Sequence, residues 1–285
     1  MISGSQPALP WPSRGAAAVG LPGLGILGSN GDSTPLPIAS MAKVMTAYIV
    51  LRQHPLQPGQ DGPPVTVQPD DVATYRSDLA QGQSVVAVQA GEQLSERQLL
   101  EGLLIPSGNN LATLLGRWVA GSAPAMVAKA NMTAARLGLS HTHFSDLSGF
   151  DPGTVSTPTD MIRLGEAAMA DPLFAHIVGM PAAVLPLAGT VSNVDYVLGQ
   201  DGIIGVKTGS DTPAGGCFLF AAQRQASGRR VTIYGAVMGQ PTLDGAFNAS
   251  KALIDAVAGG IKLDHVLSAN QSVGRYRAPW GGGSD

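Results

Sequence analysis

The amino-acid sequence predicts an α/β-plus-α fold. One antiparallel sheet is drawn from both ends of the chain and backed by a C-terminal helix, with a mostly helical domain inserted between them. Three observations carry this. Short apolar runs with turn residues open the chain at 15–20 and 24–28. From about residue 203 the hydrophobic period becomes two, over IIGVKT, GGCFLFAAQ and RVTIYGAVMG. Between these ends the period is helical. The expected division is a sheet subdomain from 15–40 and 200–260, a helical subdomain over 41–199, and a flexible lead and tail at 1–14 and 262–285.

The chain has 285 residues, 44% hydrophobic and 13% charged, with 37 glycines and 21 prolines. That composition supports a sizeable core built from short elements and tight turns. A net charge of −3 gives no electrostatic case for nucleic acid. The single cysteine, Cys217, excludes an internal disulfide and falls in an apolar run that makes it a core residue. No apolar stretch approaches the ~20 residues of a membrane span. The first residues lack the charged start and apolar middle of a signal peptide, which leaves two expectations open: a cytoplasmic chain, or one that begins after a removed export segment.

The first two runs read as a hairpin separated by Leu-Pro-Gly, with Ser29-Asn30-Gly31-Asp32 as a further turn. A helix then starts at about Ser40, with Met41, Val44, Met45, Tyr48 and Ile49 on one buried stripe and His54-Pro55 as its stop. Residues 55–92, rich in Pro, Gly, Gln and Asp, read as a surface excursion of loop and short strands. Ser95 and Gln98 form a capping box, and Leu94 and Leu99 a hydrophobic staple, for a helix ending near Leu104 before Pro106. Further helices are expected over 111–120 and about 123–138. Residues 140–156 are polar and aperiodic. Thr157-Pro158-Thr159-Asp160 restarts a helix, and a final amphipathic helix covers about 242–258.

Three stretches carry chemistry. In the first, Ser40 and Lys43 stand one helical turn apart, so an amine lies beside a hydroxyl. A serine hydroxyl becomes a nucleophile when a base takes its proton, and a lysine is that base only when burial or a nearby cation lowers its pKa. A helix N-terminus also aims N–H groups at a developing oxyanion. In the second, Lys207-Thr208-Gly209 at a strand end offers a positive charge, a hydroxyl and room for a substrate backbone, a combination suited to a carboxylate. The third, Ser107-Gly108-Asn109, sits in a turn between two helices, where side chains can face a cleft. Ser268-Ala269-Asn270 repeats that pattern by chance.

Ser-x-x-Lys, Ser-x-Asn and Lys-Thr-Gly, in this order, are the signature set of penicillin-recognising serine enzymes. The sequence resembles that β-lactamase/transpeptidase-like superfamily over nearly its whole length. More narrowly, PIASMAKVMTAYIVL, LLIPSGNNLA, GVKTGSDTPAGGCFLFAA and FSDLSGFD…STPTDMIRL are similar to the serine D-Ala-D-Ala carboxypeptidases, the low-molecular-weight penicillin-binding proteins.

The resemblance implies that Ser40 is acylated and Lys43 takes its proton. It implies that Ser107 relays a proton to the leaving D-alanine and Asn109 holds the substrate amide. Lys207 and Thr208 would bind the terminal carboxylate, with Gly209 beside them, and the N–H groups of Ser40 and Ser210 would form the oxyanion hole. The implied partners are peptidoglycan stem peptides ending in D-Ala-D-Ala, with β-lactams as covalent inhibitors. No metal or other cofactor and no nucleic acid is expected, the His141-Thr142-His143 pair being a surface-loop accident. A monomer is expected, outside the cytoplasm, its signal or anchor segment absent from this chain. Two alternatives differ in chemistry. A class A-like β-lactamase carries a loop glutamate that activates water; residues 140–156 hold only Asp146 and Asp151, and Glu166 lies in the following helix. A non-catalytic sensor of β-lactams or peptidoglycan would not need every catalytic position filled.

Overall fold

The computed structural model describes residues 8–226 and 228–260, with short paired segments at 276–277 and 283–284. In chain order the strands are β1 (Ala16–Leu21), β2 (Gly25–Asn30), β3 (Leu36–Pro37), β4 (Pro64–Thr66), β5 (Gln93–Ser95), β6 (Val155–Ser156), β7 (Ala182–Leu185), β8 (Gly189–Ser192), β9 (Ile203–Asp211), β10 (Gly215–Ala226) and β11 (Arg229–Gln240). The helices are α1 (Lys43–Gln53), α2 (Pro69–Ala80), α3 (Glu96–Leu104), α4 (Asn109–Ala120), α5 (Ala123–Arg136), α6 (Pro158–Met169), α7 (Pro172–Val178) and α8 (Leu243–Gly260).

The main sheet is antiparallel with strand order β2-β1-β11-β10-β9. It joins the first strands of the chain to the last, and leaves β9 on an edge. Side chains alternate across it. Phe218 and Phe220 on β10 face α8, where Phe218 meets Phe247 edge-on at 4.9 Å. Cys217, Leu219 and Ala221 face the opposite way, into the core shared with α1 and α6. Cys217 is buried and free, and burial pushes its thiol pKa up to about 12. This is an inert core residue.

Several local expectations hold. Ser95 and Gln98 form the reciprocal capping box, and Thr157 accepts from the N–H of Asp160 with Pro158 behind it. Others need correction. The first helix does not begin at Ser40; residues Ala39–Ala42 form a 3₁₀ turn and the α-helix starts at Lys43. β2 runs on through Ser29 and Asn30, so the turn comes two residues later. Residues 69–80, read as loop, are a helix. Its sequence, PDDVATYRSDLA, is mostly polar, and only Val72 and Tyr75 pack on the core. It is held by Pro69 in the first turn and by a capping box of Gln68 and Asp71. The QSVVAVQ run forms no strand; Asn110 bonds both the N–H and the C=O of Val86 instead. Residues 8–14, expected in the flexible lead, lie on the sheet, because Leu9 and Trp11 pack against its α8-side core. The tail expected at 262–285 falls almost wholly outside the described residues.

α2 is fastened to α4 by Arg117, which donates to both oxygens of buried Asp71 at 3.1 and 2.6 Å. Removing the guanidinium would leave a buried carboxylate with only backbone partners. Arg117→Ala is therefore expected to lower stability by about 2 kcal/mol, read as a shifted urea midpoint. A midpoint within error of wild type would mean that the pair does not hold α2 in place.

Candidate active site

Ser40 sits in the 3₁₀ turn before α1. In such a turn residues i and i+3 eclipse one another, and the Lys43 Nζ lies 2.6 Å from the Ser40 Oγ. Ala39, just upstream, has φ 44°, an uncommon conformation for a residue with a Cβ. Ser107 is likewise at φ 67°. Such strain persists only where the surroundings over-determine it.

Lys43 is fully buried and makes two further hydrogen bonds, to Asn109 Oδ1 at 2.6 Å and to the Ser148 carbonyl at 3.1 Å. Its three partners come from three separate elements. α4 presents Asn109 in its first turn. Ser148 belongs to the loop between α5 and β6, which is folded around Asp146. That carboxylate accepts from the N–H groups of Ser148, Gly149 and Phe150 and from the hydroxyls of Ser148 and Thr154. The loop is pinned onto α1 a second time by Thr46, which donates to the Leu147 carbonyl.

Burial pushes the Lys43 pKa well below its ordinary value, and the neighbouring Lys207 pushes it further. Asp146, Asp78 and Asp211 oppose the shift. Lys207 itself is buried, and its Nζ donates to the Thr208 carbonyl at 3.1 Å. Burial lowers it to about 7, against the pull of Asp195. The positive charge expected here as a fixed feature is thus one that titrates near neutrality. Asp195, buried with one carboxylate oxygen unpartnered, is raised to about 6, chiefly by burial.

β9 is placed against the 3₁₀ turn by Gly209. A Cβ there would lie 2.8 Å from the Ile38 carbonyl and 3.1 Å from the Ser40 nitrogen. Lys207-Thr208-Gly209 is followed by two more strand residues, so it lies inside β9 rather than at its end. An open cleft of ≈ 600 Å³ runs along this edge, lined by Ser40, Asn109, Ser210, Gln83, Phe150 and Thr212 among others. Lys43, Ser107, Lys207 and Thr208 are buried, and the Ser107 hydroxyl has no hydrogen-bond partner. Ser268 and Asn270 lie outside the described residues. Sequence reasoning misses the stretch 81–84, and reads FSDLSGFD only as a family likeness without a structural role for Asp146. The second stretch has a signal, since Asp-x-Ser-Gly is an Asx-type turn in which a carboxylate binds following N–H groups.

A hydroxyl against a buried amine, beside an antiparallel edge and under a helical domain, is the arrangement found here, and the fold is that of the penicillin-binding proteins. The comparisons give the family. The model for D-alanyl-D-alanine carboxypeptidases matches residues 18–242. The carboxypeptidase DacB2 of Mycobacterium tuberculosis is 34% identical over 254 residues, 84% of this chain and 81% of that protein. A D-alanyl-D-alanine carboxypeptidase of Streptomyces strain K15 is 30% identical over 84% of this chain and 87% of its own length. The crystal structure of the Streptomyces K15 DD-transpeptidase superposes with a TM-score of 0.77 at 26% identity, covering 87% of this chain and 98% of that one. The chain belongs to the D-alanyl-D-alanine carboxypeptidase family and is a serine peptidase with the fold of that family.

Gly149 has φ 82°, and a Cβ on it would sit 1.7 Å from the Ala39 carbonyl. Gly149→Ala must therefore push the Asp146 loop off the 3₁₀ turn and draw the Ser148 carbonyl from Lys43. The expected outcome is a loss of about 2–3 kcal/mol in stability with reduced reactivity of Ser40 toward a fluorescent penicillin. Wild-type melting and labelling together would refute this close approach.

Proposed function

We propose that the enzyme removes the terminal D-alanine from peptidoglycan stem pentapeptides through an acyl-enzyme at Ser40, and that β-lactams inhibit it by forming the same ester. The observation that carries the reading is the set of partners around Lys43. A neutral amine has two N–H bonds and one lone pair. Asn109 Oδ1 and the Ser148 carbonyl can only accept, so they take both N–H bonds. The lone pair is left for the hydroxyl proton of Ser40. Burial and Lys207 favour that neutral state.

Ser40 Oγ attacks the carbonyl of the penultimate D-alanine as its proton passes to Lys43. The N–H groups of Ser40 and Ser210 stabilise the oxyanion. The proton returns to the leaving nitrogen through Ser107, whose hydroxyl is free to donate and accept. The C–N bond breaks, D-alanine departs, and water hydrolyses the ester. Asn109 holds the substrate amide. Lys207 and Thr208, with Gly209 beside them, receive the terminal carboxylate. The enzyme acts as a monomer on the cell-envelope side of the membrane, where this substrate lies; among the described residues no helix is long and apolar enough to cross a membrane.

Two experiments test this. After Ser40 opens a β-lactam the leaving group stays tethered and crowds the approach of water. The loop 140–156 offers no glutamate to activate that water. Intact-mass spectrometry should show a long-lived penicilloyl adduct, absent in Ser40→Ala, alongside catalytic release of D-alanine from a pentapeptide. An adduct that vanishes within seconds while penicillin is consumed in large excess would instead mark a β-lactamase.

The second uses pH. Rising pH favours neutral Lys43 but removes the Lys207 charge as it passes about 7. The kcat/KM for a free-acid peptide should therefore fall on the alkaline side with the Lys207 titration. A peptide with an amidated C-terminus should be a poorer substrate by about 2–3 kcal/mol and should lack that limb. Equal turnover and equal profiles would remove Lys207 as the carboxylate site.

A further inference from the structure

The Asn109 amide has a second partner, from a stretch with no assigned role. Its Nδ2 donates to Gln83 Oε1 at 2.6 Å. Gln83 is held in turn: its backbone N–H donates to the Asp78 carbonyl at the end of α2, and its Nε2 reaches Gln81 Oε1 at 3.4 Å. Gln81 donates to Ser77 Oγ. A line of oriented amides thus runs from α2 to the catalytic lysine.

We propose that Gln83 is a positioning residue for the general base, fixing which face of the Asn109 amide is turned to Lys43 and so where the Lys43 lone pair points. The inference rests on the reading of Lys43 as base for Ser40. The two ends of a carboxamide are almost the same shape and differ in hydrogen-bond sense. A charged Lys43 selects the oxygen, because an ammonium only donates. A neutral Lys43 selects neither end, because it donates and accepts. Yet the neutral state is the one that must act. If Asn109 turned over, its NH₂ would face Lys43 and take the lone pair, leaving an N–H against Ser40 that cannot remove a proton.

The Asn109 main chain offers no protection from that inversion. Its N–H bond to the Ser84 carbonyl fixes the backbone and not the side-chain torsion. Gln83 Oε1 supplies the missing discrimination, since it accepts from NH₂ and repels oxygen. It occupies one N–H of Asn109, and the other remains for a substrate carbonyl in the cleft.

The test compares Gln83→Leu and Gln83→Glu with the wild type. Leucine removes the acceptor, while glutamate keeps it, loses the donor and adds a negative charge. Stopped-flow labelling with a fluorescent penicillin separates the non-covalent Kd from the acylation rate constant. Gln83→Leu should slow acylation by about tenfold or more, the scale for losing a partner that orients a reactive group, with Kd little changed and no recovery at high pH. Glutamate adds a charge to those already facing Lys43: Lys207 and Asp211 from β9, Asp146 from its loop, and Asp78 from α2. It therefore raises the lysine's pKa, and its acylation plateau should move to higher pH but return to within a few-fold of wild type. Gln83→Ala serves the same comparison should leucine lower the melting temperature.

Wild-type acylation in Gln83→Leu, or equal loss in the leucine and glutamate variants at every pH, would overturn the proposal. The underlying reading is checked separately. A wild-type enzyme that forms no adduct at Ser40 fails before any Gln83 variant is compared.

Discussion

The structure depends on one buried amine. Lys43 has no salt-bridge partner among the described residues, and its three hydrogen bonds go to a hydroxyl, an amide oxygen and a carbonyl. A buried ammonium costs several kcal/mol when it lacks a counter-ion, so the group is stable only if it sheds its proton or its acceptors are well placed. Those acceptors lie 66 and 105 residues along the chain. Much of the helical domain serves to bring them there. The Asp146 turn shapes the loop that offers the Ser148 carbonyl. Asn110 ties the 84–88 stretch to the start of α4 beside Asn109. Gly149 and Gly209 let the loop and the sheet edge close on the 3₁₀ turn from two sides.

A second buried lysine makes the free enzyme less stable than its core alone would allow. Lys207 adds to the lowering of the Lys43 pKa, which Asp146, Asp78 and Asp211 oppose, while Asp195 pulls the Lys207 pKa upward. An arriving carboxylate would change the balance. It would hold Lys207 charged, and that charge would keep Lys43 neutral as the base. On the proposed mechanism, substrate binding and base activation would be coupled through these two amines. The two names attached to the Streptomyces K15 relatives, carboxypeptidase and DD-transpeptidase, differ in the acceptor for the acyl group. Such a coupling acts before that choice, on the step common to both.

The sheet was legible because its strands are apolar with period two, and the capped helices because their boundary residues act locally. Ser95, Gln98 and Thr157 each bond within three residues of themselves. α2 was not legible, since only Val72 and Tyr75 of its mostly polar sequence pack on the core and its buried Asp71 is held by Arg117, 46 residues away. The chemical positions Ser40, Lys43 and Asn109 were readable as motifs. What the sequence could not show is what controls them. The lowered charge state of Lys207 follows from burial that only the tertiary structure creates. The Gln83–Asn109 bond joins residues with no periodic or motif relation, and nothing in QGQS marks it as part of a catalytic site.

Two of the three non-glycine residues at positive φ among the described residues, Asp201 being the third, follow the same logic. Ala39 at φ 44° and Ser107 at φ 67° each carry a cost of order 1–3 kcal/mol, and both adjoin or belong to the motifs. Ala39 is clamped between the Gly149 loop and Gly209, and cannot relax without moving Ser40. Ser107 is held in a turn whose neighbours Ile105 and Gly108 both bond outward, one to Val194 and the other to Gly102. Its buried hydroxyl is left without a partner, as is that of Ser250 in α8, while the buried hydroxyls of Thr46 and Thr154 are satisfied. An unsatisfied hydroxyl costs about 1–3 kcal/mol, and a reacting nitrogen that arrives beside it would supply the missing bond. On the proposed mechanism, the substrate and not the chain would complete the hydrogen bonding of Ser107. Interactions completed only during reaction are the ones that lower its barrier.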